Sequence, residues 1–359
     1  MIPEYQHPAL RKTVQQLLSS VCDPTQPAMK KVLPFPRLPL EPTVNKPPLP
    51  IQPAPNTFCS WSHKTSQSSR DDDNRTTHVM ATLNVTPDSF SDGATNNTLP
   101  AALKFISSAL ASGASIIDVG GYSTRPGAAF VSVEDEIARV LPVIQAMRNE
   151  NYLNNLDAKQ LALDLNVDPT GSSGSHIERI LRTPISVDTF RWEVAEAALQ
   201  AGANCINDVY GFTGPHSWPL DLTEIEAADP PPATYMRNLK AVARRYAVPV
   251  VLMHSRGDAG QNKDYGNYAY ASDSRGRGAV LEGVRVELGA KVDAIVKGKG
   301  GVRRWLVIAD PGIGFSKTLE GNLELLRAAK DVVSDVRIGD GAFLWIISAE
   351  FMNLTNPLL

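Results

Sequence analysis

Short apolar runs alternate with longer amphipathic stretches from residue 78 to residue 331 of this chain. The apolar runs lie at 78–85, 115–119, 184–188, 203–209, 248–254 and 304–309. The amphipathic stretches lie at 99–112, 132–147, 191–200, 224–246, 276–298 and 321–331. Runs that are apolar throughout suit a parallel sheet, because helices cover one of its faces and packed side chains the other. The alternation predicts an α/β fold of six βα units, either an open doubly wound sheet or part of an eight-unit barrel.

Charge and composition limit the classes of partner. The formal net charge is −3 over 359 residues, which does not favour binding to nucleic acid or to a membrane surface. The longest apolar runs, such as 342–349, are far shorter than the roughly 20 residues that span a bilayer. Three scattered cysteines match neither a metal site nor a disulfide framework, so we expect a reducing compartment. No leader is recognisable, and we expect the cytoplasm, with a mitochondrial location left open.

The N-terminal part of the chain differs in texture from the rest. Proline recurs through 24–55, and a polar stretch at 66–75 follows it without apolar periodicity. We therefore expect 24–77 to be a disordered, Pro- and Ser-rich linker that precedes the folded domain. Two segments inside the domain, 149–183 and 213–232, are rich in polar residues, Gly or Pro, and we expect them on the surface.

Polar loops follow the first two apolar runs, at the strand ends where parallel α/β proteins place reactive groups. The first loop runs from Asn84 to Gly93 and is rich in oxygen ligands, which suit a hard cation, although a turn that closes the strand end would look similar. The second loop contains Gly120, Gly121 and Arg125. Its glycines allow close backbone approach and its arginine can face an anion, but an exposed turn is an open alternative.

The remaining runs end in isolated polar residues, Asp188, Asn207 and Asp310. Any one of them could simply cap the following helix. Three that converge on one edge could instead read the hydrogen-bonding edge of a flat heterocycle, above an apolar floor that includes Met253. The chain has no Walker loop, GxGxxG, HExxH or GxSxG motif, so the usual signatures of phosphate-loop, nucleotide, zinc-protease and serine-hydrolase chemistry are missing.

The chain resembles the dihydropteroate synthase family. The resemblance covers roughly residues 78–331 and rests on six segments in the family's order: LNVTPDSFSDG, DVGGYSTRPG, ISVDTF, INDVYGF, VLMHSRG and IADPGIGFSK. The insertions and the linker look like fungal forms, in which the synthase is part of a multifunctional folate-biosynthesis protein. Residues 1–23 resemble the tail of a hydroxymethyldihydropterin pyrophosphokinase, and 78–335 would be the pterin-binding synthase domain.

The resemblance implies a TIM (β/α)₈-type barrel and a transferase that forms a C–N bond. Its substrates would be 6-hydroxymethyl-7,8-dihydropterin pyrophosphate and p-aminobenzoate, its products 7,8-dihydropteroate and pyrophosphate, and its cofactor Mg²⁺. It implies Asn84 as a metal ligand and Asp92 and Arg125 as catalytic residues. The substrate-binding residues would be Thr124, Arg125, Asp188, Asn207, Met253, Asp310, Phe315 and Lys317. Members of the family tend to form dimers, so the resemblance also implies a possible homodimer.

The resemblance ends early. The family's seventh strand carries a Ser-Arg-Lys segment and its eighth an Arg-x-His segment, and neither follows Asp331. We therefore expect a C-terminally truncated member with an incomplete barrel of about six βα units and a divergent tail at 336–359. A catalytically impaired pterin-binding fragment is one alternative function. Another pterin-binding barrel, such as a methyltetrahydrofolate methyltransferase, is a second.

Overall fold

The computed structural model describes residues 78–86, 99–123, 128–156, 173–215, 218–219, 231–266, 278–328 and 331–332. All of them belong to one compact unit. The segments assigned from sequence at 1–23, 24–77 and 336–359 lie outside the described residues, so those assignments stay predictions. No helix in the described ranges combines the length and the apolar character needed to cross a membrane.

Strands and helices alternate along the described chain. The strands are β1 (Met80–Asn84), β2 (Ile116–Gly120), β3 (Ile185–Asp188), β4 (Cys205–Asp208), β5 (Val250–Met253) and β6 (Val307–Asp310). The helices are α1 (Leu99–Ala111), α2 (Val133–Arg148), α3 (Glu150–Asn155), α4 (Ser173–Arg182), α5 (Trp192–Ala201), α6 (Pro231–Tyr246), α7 (Ala279–Lys297) and α8 (Leu319–Arg327). Every strand is followed by at least one helix, which confirms the six predicted βα units.

The six strands form one parallel sheet in the order β1-β2-β3-β4-β5-β6. A doubly wound sheet has a point at which the strand order reverses, and the six described strands have none. Strands that add in chain order, each through a helical crossover, are the arrangement of a (β/α) barrel. The barrel-type fold is therefore confirmed, and the doubly wound alternative is wrong.

The two faces of the sheet bury different side chains, because successive residues of a strand point to opposite sides. The outer face packs against the helices through residues such as Leu83, Ile117 and Val187. The inner face carries a separate apolar layer of Ile116, Val251 and Ile308, against which Met80 and Cys205 pack. This inner apolar layer lies near the amino ends of the strands.

Helix ends follow local capping chemistry. Ser132 precedes α2, and its hydroxyl accepts a hydrogen bond from the backbone N–H of Asp135 at 3.0 Å. The first turn of α2 is acidic, which complements the positive end of the helix dipole. Helix α5 ends at Gly202, whose φ of 118° suits glycine and few other residues.

The polar segment 149–183 contributes more to the core than its composition suggested. It contains α3 and α4, and the side chains of Leu153 and Ile180 are fully buried in the main hydrophobic cluster. Its central part, 157–172, lies outside the described residues. Two buried apolar residues are enough to anchor the short helices α3 and α4 in the core. The prediction that the whole of 149–183 lies on the surface, which was based on its polar composition, is therefore wrong for these two helices.

Arg148 joins several elements at the amino-terminal side of the sheet. Its guanidinium donates to the carbonyl oxygens of Gly202 at 3.1 Å, Leu181 at 3.0 Å and Thr183 at 3.0 Å. It also donates to the side-chain oxygen of Asn204 at 2.7 Å. Burial lowers the pKa of Arg148 to about 10, so the group stays charged at neutral pH. One side chain thereby ties α2 to the loops that precede β3 and β4.

We expect Arg148→Met to lower the free energy of unfolding by about 2 kcal/mol, because it leaves partly buried carbonyl oxygens without a donor. The matched control is Arg182→Met. Arg182 is largely exposed and pairs with Glu178 on the same helix, so its loss should change stability by less than about 0.5 kcal/mol. Urea denaturation of both variants measures the difference, and equal losses would contradict the role given to Arg148.

Candidate functional site

A row of four side chains lies on the inner face, two residues beyond the inner apolar layer. Its members are Asp118, Asn207, Met253 and Asp310, all nearly or fully buried, and we call them the inner row. Asn207 donates from its side-chain nitrogen to Oδ2 of Asp118 at 3.0 Å, across the width of β3. Met253 and Asp310 are register partners on β5 and β6. The inner row therefore offers carboxylate and amide groups above an apolar base.

Asn84 and Asp188 lie closer to the mouth, on either side of Gly120. The three residues occupy one register row on β1, β2 and β3. A Cβ atom on Gly120 would lie 3.2 Å from Oδ2 of Asp188 and 3.4 Å from Oδ1 of Asn84. Glycine at this position therefore keeps open a space that two side-chain oxygens border.

Helix capping does not explain the polar strand ends. The N-cap of α5 is Arg191 rather than Asp188, and the N-cap of α8 is Thr318 rather than Asp310. Thr318 makes its own capping bond, from its hydroxyl to the backbone N–H of Gly321 at 3.1 Å. Asp188 and Asp310 are therefore not the N-caps of these helices, the role that the sequence left open for them.

Aromatic side chains form one wall of the mouth. Phe190, Val209, Tyr210 and Met253 make a buried cluster, and Phe315 is among the residues packed against it. The rings of Phe190 and Tyr210 meet edge to face with centroids 5.4 Å apart. Such pairs hold their orientation better than aliphatic contacts do. The inner row is therefore bordered by a firm apolar wall that suits a flat ring.

Burial dominates the electrostatics of the two inner-row carboxyl groups. It raises the pKa of Asp118, against the effects of the nearby side chains of Ser186 and Asn207. It also raises the pKa of Asp310 to about 7, although the backbone N–H of Gly312 and the charge of Lys317 act in the opposite direction. Oδ1 of Asp118 and the hydroxyl of Ser186, its register partner on β3, both lack a hydrogen bond of normal geometry among the described residues. A ligand that supplies N–H donors would relieve both the desolvation and the missing bond.

Buried charged side chains of both signs lie behind the inner row, on β4, on α7 and in the loops that follow β5 and β6. We call Asp208, Lys291, Glu287, Arg256 and Lys317 the buried charge chain. Glu287 accepts two hydrogen bonds from Arg256, at 2.9 Å and 2.5 Å. Lys291 donates to the carbonyl oxygen of Tyr210 at 3.0 Å and lies near Asp208 and Glu287. Burial of these charges is tolerable because each lies near one of the opposite sign.

The structure places seven of the residues assigned from sequence, and they lie in four places. Asn207, Met253 and Asp310 form the inner row, and Asn84 and Asp188 border the space above Gly120. Phe315 joins the aromatic wall, while the ammonium of Lys317 bonds to protein acceptors behind the row. Asp92, Thr124 and Arg125 lie outside the described residues, so their roles stay predictions.

Sequence reasoning missed Asp118, Glu287 and Lys291. Asp118 interrupts the apolar run of β2, and an acidic residue inside a buried strand is itself a signal. Glu287 and Lys291 lie four residues apart on the buried face of α7, beside Val284 and Leu288. Charges on an otherwise apolar helix face indicate buried partners from another element.

Comparison of sequences identifies relatives of this chain. The model of a family described as "Pterin binding enzyme" matches residues 80–159 and 175–338. The dihydropteroate synthase of Synechocystis is 35% identical over 281 residues, which cover 78% of this chain and 71% of the relative. The folic acid synthesis protein fol1 of Schizosaccharomyces pombe is 35% identical over 265 residues, 73% of this chain but 27% of that longer protein.

Solved structures give the same grouping. A dihydropteroate synthase from Clostridium difficile, determined in the presence of pteroic acid, has a TM-score of 0.52 at 27% identity and covers 79% of this chain and 81% of its own. The Xanthomonas albilineans dihydropteroate synthase with 4-aminobenzoic acid has a TM-score of 0.51 at 30% identity, with 79% and 78% covered. Fold and sequence therefore point to one family.

The backbone at Gly312 gives a direct test of the loop after β6. Its φ is +68°, and a Cβ atom there would lie 2.0 Å from the carbonyl oxygen of His254. We expect Gly312→Ala to lower the free energy of unfolding by about 3 kcal/mol through strain and overlap together. Gly113→Ala is the control: its φ is +105°, nothing lies within 4 Å of the added atom, and only the strain of about 1–2 kcal/mol remains. Thermal and urea unfolding should separate the two variants, and equal losses would rule out the close approach at Gly312.

Proposed function

The chain belongs to the dihydropteroate synthase family of pterin-binding enzymes, and from that premise we propose that the inner row holds the pterin ring of its substrate. The observation that carries this proposal is the convergence of two buried carboxyl groups, Asp118 and Asp310, with Asn207, together with an oxygen of Asp118, Oδ1, that makes no hydrogen bond of normal geometry in the described part of the chain. Buried acceptors are normally satisfied. A ligand with N–H donors is the natural partner for this one.

A pterin suits the inner row by shape and by donor pattern. Its ring is flat, and its amino group and ring N–H donate from one edge. Asp118 offers an unpartnered oxygen, and one oxygen of Asp310 accepts from the backbone N–H of Gly312 at 2.7 Å, which leaves the other for a ligand. Met253 and the aromatic wall contact the ring's face. Ligands that leave these buried groups unpaired are disfavoured, which gives specificity.

The proposed reaction joins this pterin to p-aminobenzoate. The amine nitrogen attacks the methylene carbon of the pterin pyrophosphate, the C–O bond breaks, and pyrophosphate leaves while the amine loses a proton. Buried carboxylates at Asp118 and Asp310 favour positive charge that develops on the pterin and its methylene group. The reaction needs orientation and charge stabilisation rather than a protein nucleophile. Phe315 and the rest of the aromatic wall offer packing for the aryl ring of the amine.

Mg²⁺ fits the mouth by the chemistry of its donors. Oδ1 of Asn84 and Oδ2 of Asp188 border the space above Gly120, and oxygen ligands are those that Mg²⁺ prefers. The described residues include no cluster of three His, Cys, Asp or Glu side chains that could hold a metal alone. We propose that Asn84 contributes one ligand and the pyrophosphate others. The bound ion would neutralise charge on the leaving pyrophosphate.

The homodimer and the cytoplasmic location stay predictions.

A turnover assay of the full chain tests the function. With pterin pyrophosphate, p-aminobenzoate and Mg²⁺, we expect dihydropteroate and pyrophosphate to form in equal amounts. Asp118→Asn should lower kcat/KM by about 10- to 100-fold, because hydrogen bonds to a charged group contribute about 1.5–3 kcal/mol. Asp293→Asn, on the solvent side of α7, is the control and should leave the rate unchanged.

The outcomes separate the candidate functions. Pterin binding without turnover would select the catalytically impaired fragment. A folded chain that neither binds the pterin nor turns it over would contradict the assignment of the inner row as a pterin site.

Pterin affinity should depend on pH through the inner row. The pKa of Asp310 is raised to about 7, and the carboxylate that accepts from the ligand is present above that value. We expect the Kd of 6-hydroxymethylpterin to be lowest near pH 8 and to rise by up to about tenfold per pH unit below pH 7. Asp118, whose pKa is also raised, acts in the same direction.

Asp310→Asn is the matched variant for this titration and should flatten the profile. The pH dependence that remains in Asp310→Asn would come from Asp118 and Lys317. The pKa of Lys317 is lowered to about 7. A wild-type Kd that is constant from pH 8 to pH 5.5 would contradict an ionised carboxylate contact.

A further inference from the structure

All three N–H bonds of the Lys317 ammonium have acceptors within the protein. Nζ lies 2.8 Å from the carbonyl oxygen of Gly312, 2.8 Å from that of Phe315 and 3.1 Å from Nδ1 of His254. A lysine ammonium has three donors and no acceptor. The side chain is 3% exposed, so these contacts are made away from water. The donors that a substrate anion would need are therefore already used.

His254 is held in the state that accepts from Lys317. Burial, and next the charge of Lys317, lower its pKa to about 3, so the ring is neutral. Its Nε2–H donates to the carboxylate of Glu287 at 2.8 Å, which leaves Nδ1 as an acceptor. Glu287 is fixed in turn by Arg256. The buried charge chain thereby gives the ammonium of Lys317 a fixed position.

The two carbonyl groups that Lys317 holds belong to the loop that carries two proposed ligand contacts. Gly312 accepts from Lys317 through its carbonyl and donates through its N–H to Oδ1 of Asp310 at 2.7 Å. The second carbonyl is that of Phe315, whose ring joins the aromatic wall. The Lys317 ammonium is thus hydrogen-bonded both to Gly312, whose N–H orients Asp310, and to Phe315.

We propose that Lys317 is a positioning residue, which sets the loop 311–316 so that Asp310 and Phe315 face the substrates, and that it does not itself contact them. This inference rests on the proposed function, because Asp310 and Phe315 matter only if the inner row and the aromatic wall hold ligands. It differs from the substrate-binding role that the family resemblance implied for Lys317. The structural reason is that no donor of the ammonium is left over.

The test compares three full-length variants by ligand affinity. Lys317→Met nearly keeps the length but removes every donor, whereas Lys317→Gln keeps two N–H donors on a side chain one bond shorter. Lys240→Met is the matched control, because Lys240 is also buried, at 6% exposure, and donates to the carbonyl of Ala294 at a helix contact. Calorimetry measures the Kd of 6-hydroxymethylpterin and of its pyrophosphate ester, and thermal unfolding measures Tm.

We expect Lys317→Met to weaken both ligands by between about 10-fold and 100-fold, as misplacement of a contact group does. Lys317→Gln should recover part of that loss, and Lys240→Met should lower Tm without changing either Kd. Two results would overturn the proposal: unchanged affinity in a folded Lys317→Met, or a loss confined to the pyrophosphate ester, which would indicate direct anion contact. If Lys317→Met does not fold, a Lys317→Gln variant that keeps its affinity for 6-hydroxymethylpterin but loses affinity for the pyrophosphate ester would overturn it, because that pattern indicates direct anion contact. A folded wild-type chain that binds neither ligand would instead refute the proposed function.

Discussion

Parallel pairing in chain order is the constraint on which the rest of this molecule depends. Six strands run the same way, so their carboxyl ends lie at one edge, and the register fixes which residues are neighbours there. Because side chains alternate in direction, a polar residue two positions beyond an inner apolar residue must face the same interior. Ile116 and Asp118 on β2, Cys205 and Asn207 on β4, and Ile308 and Asp310 on β6 repeat that spacing. The apolar layer and the inner row are consequences of one geometry.

The two edges of the sheet use buried charge differently. At the amino-terminal edge, Arg148 binds carbonyl groups and an amide oxygen, and every contact stays within the scaffold. At the carboxyl edge, the members of the buried charge chain bond to one another and to the backbone. Oδ1 of Asp118, in the inner row, makes no hydrogen bond of normal geometry among the described residues. Barrels of this type keep stability at one edge and chemistry at the other. Asn204 Nδ2 at the amino-terminal edge also lacks a partner among the described residues, so one unsatisfied atom does not identify the functional edge. The convergence of Asp118, Asn207 and Asp310 at the carboxyl edge does.

Much of the fold could be predicted from the sequence, because the apolar runs and amphipathic stretches follow from the burial of a parallel sheet. Asn207, Met253 and Asp310 could be placed at one edge for the same reason. Asp118 was missed because it lies inside a run instead of at its end. The bonds of Lys317 could not be foreseen, since they depend on the left-handed turn at Gly312 and on Glu287 from α7, distant in sequence. Leu153 and Ile180 were hidden by the polar residues around them.

The central claim is that the inner row receives the donor edge of a pterin, and a crystal structure of the full chain with 6-hydroxymethylpterin tests it most directly. The account predicts the amino group and ring N–H of the pterin within about 3 Å of Oδ1 of Asp118 and of the carboxylate of Asp310, with the ring against Met253. The side chains of the inner row should keep the same positions in the complex as in the free chain. A pterin bound elsewhere on the chain, or bound with its donor edge turned away from both carboxylates, would contradict the account.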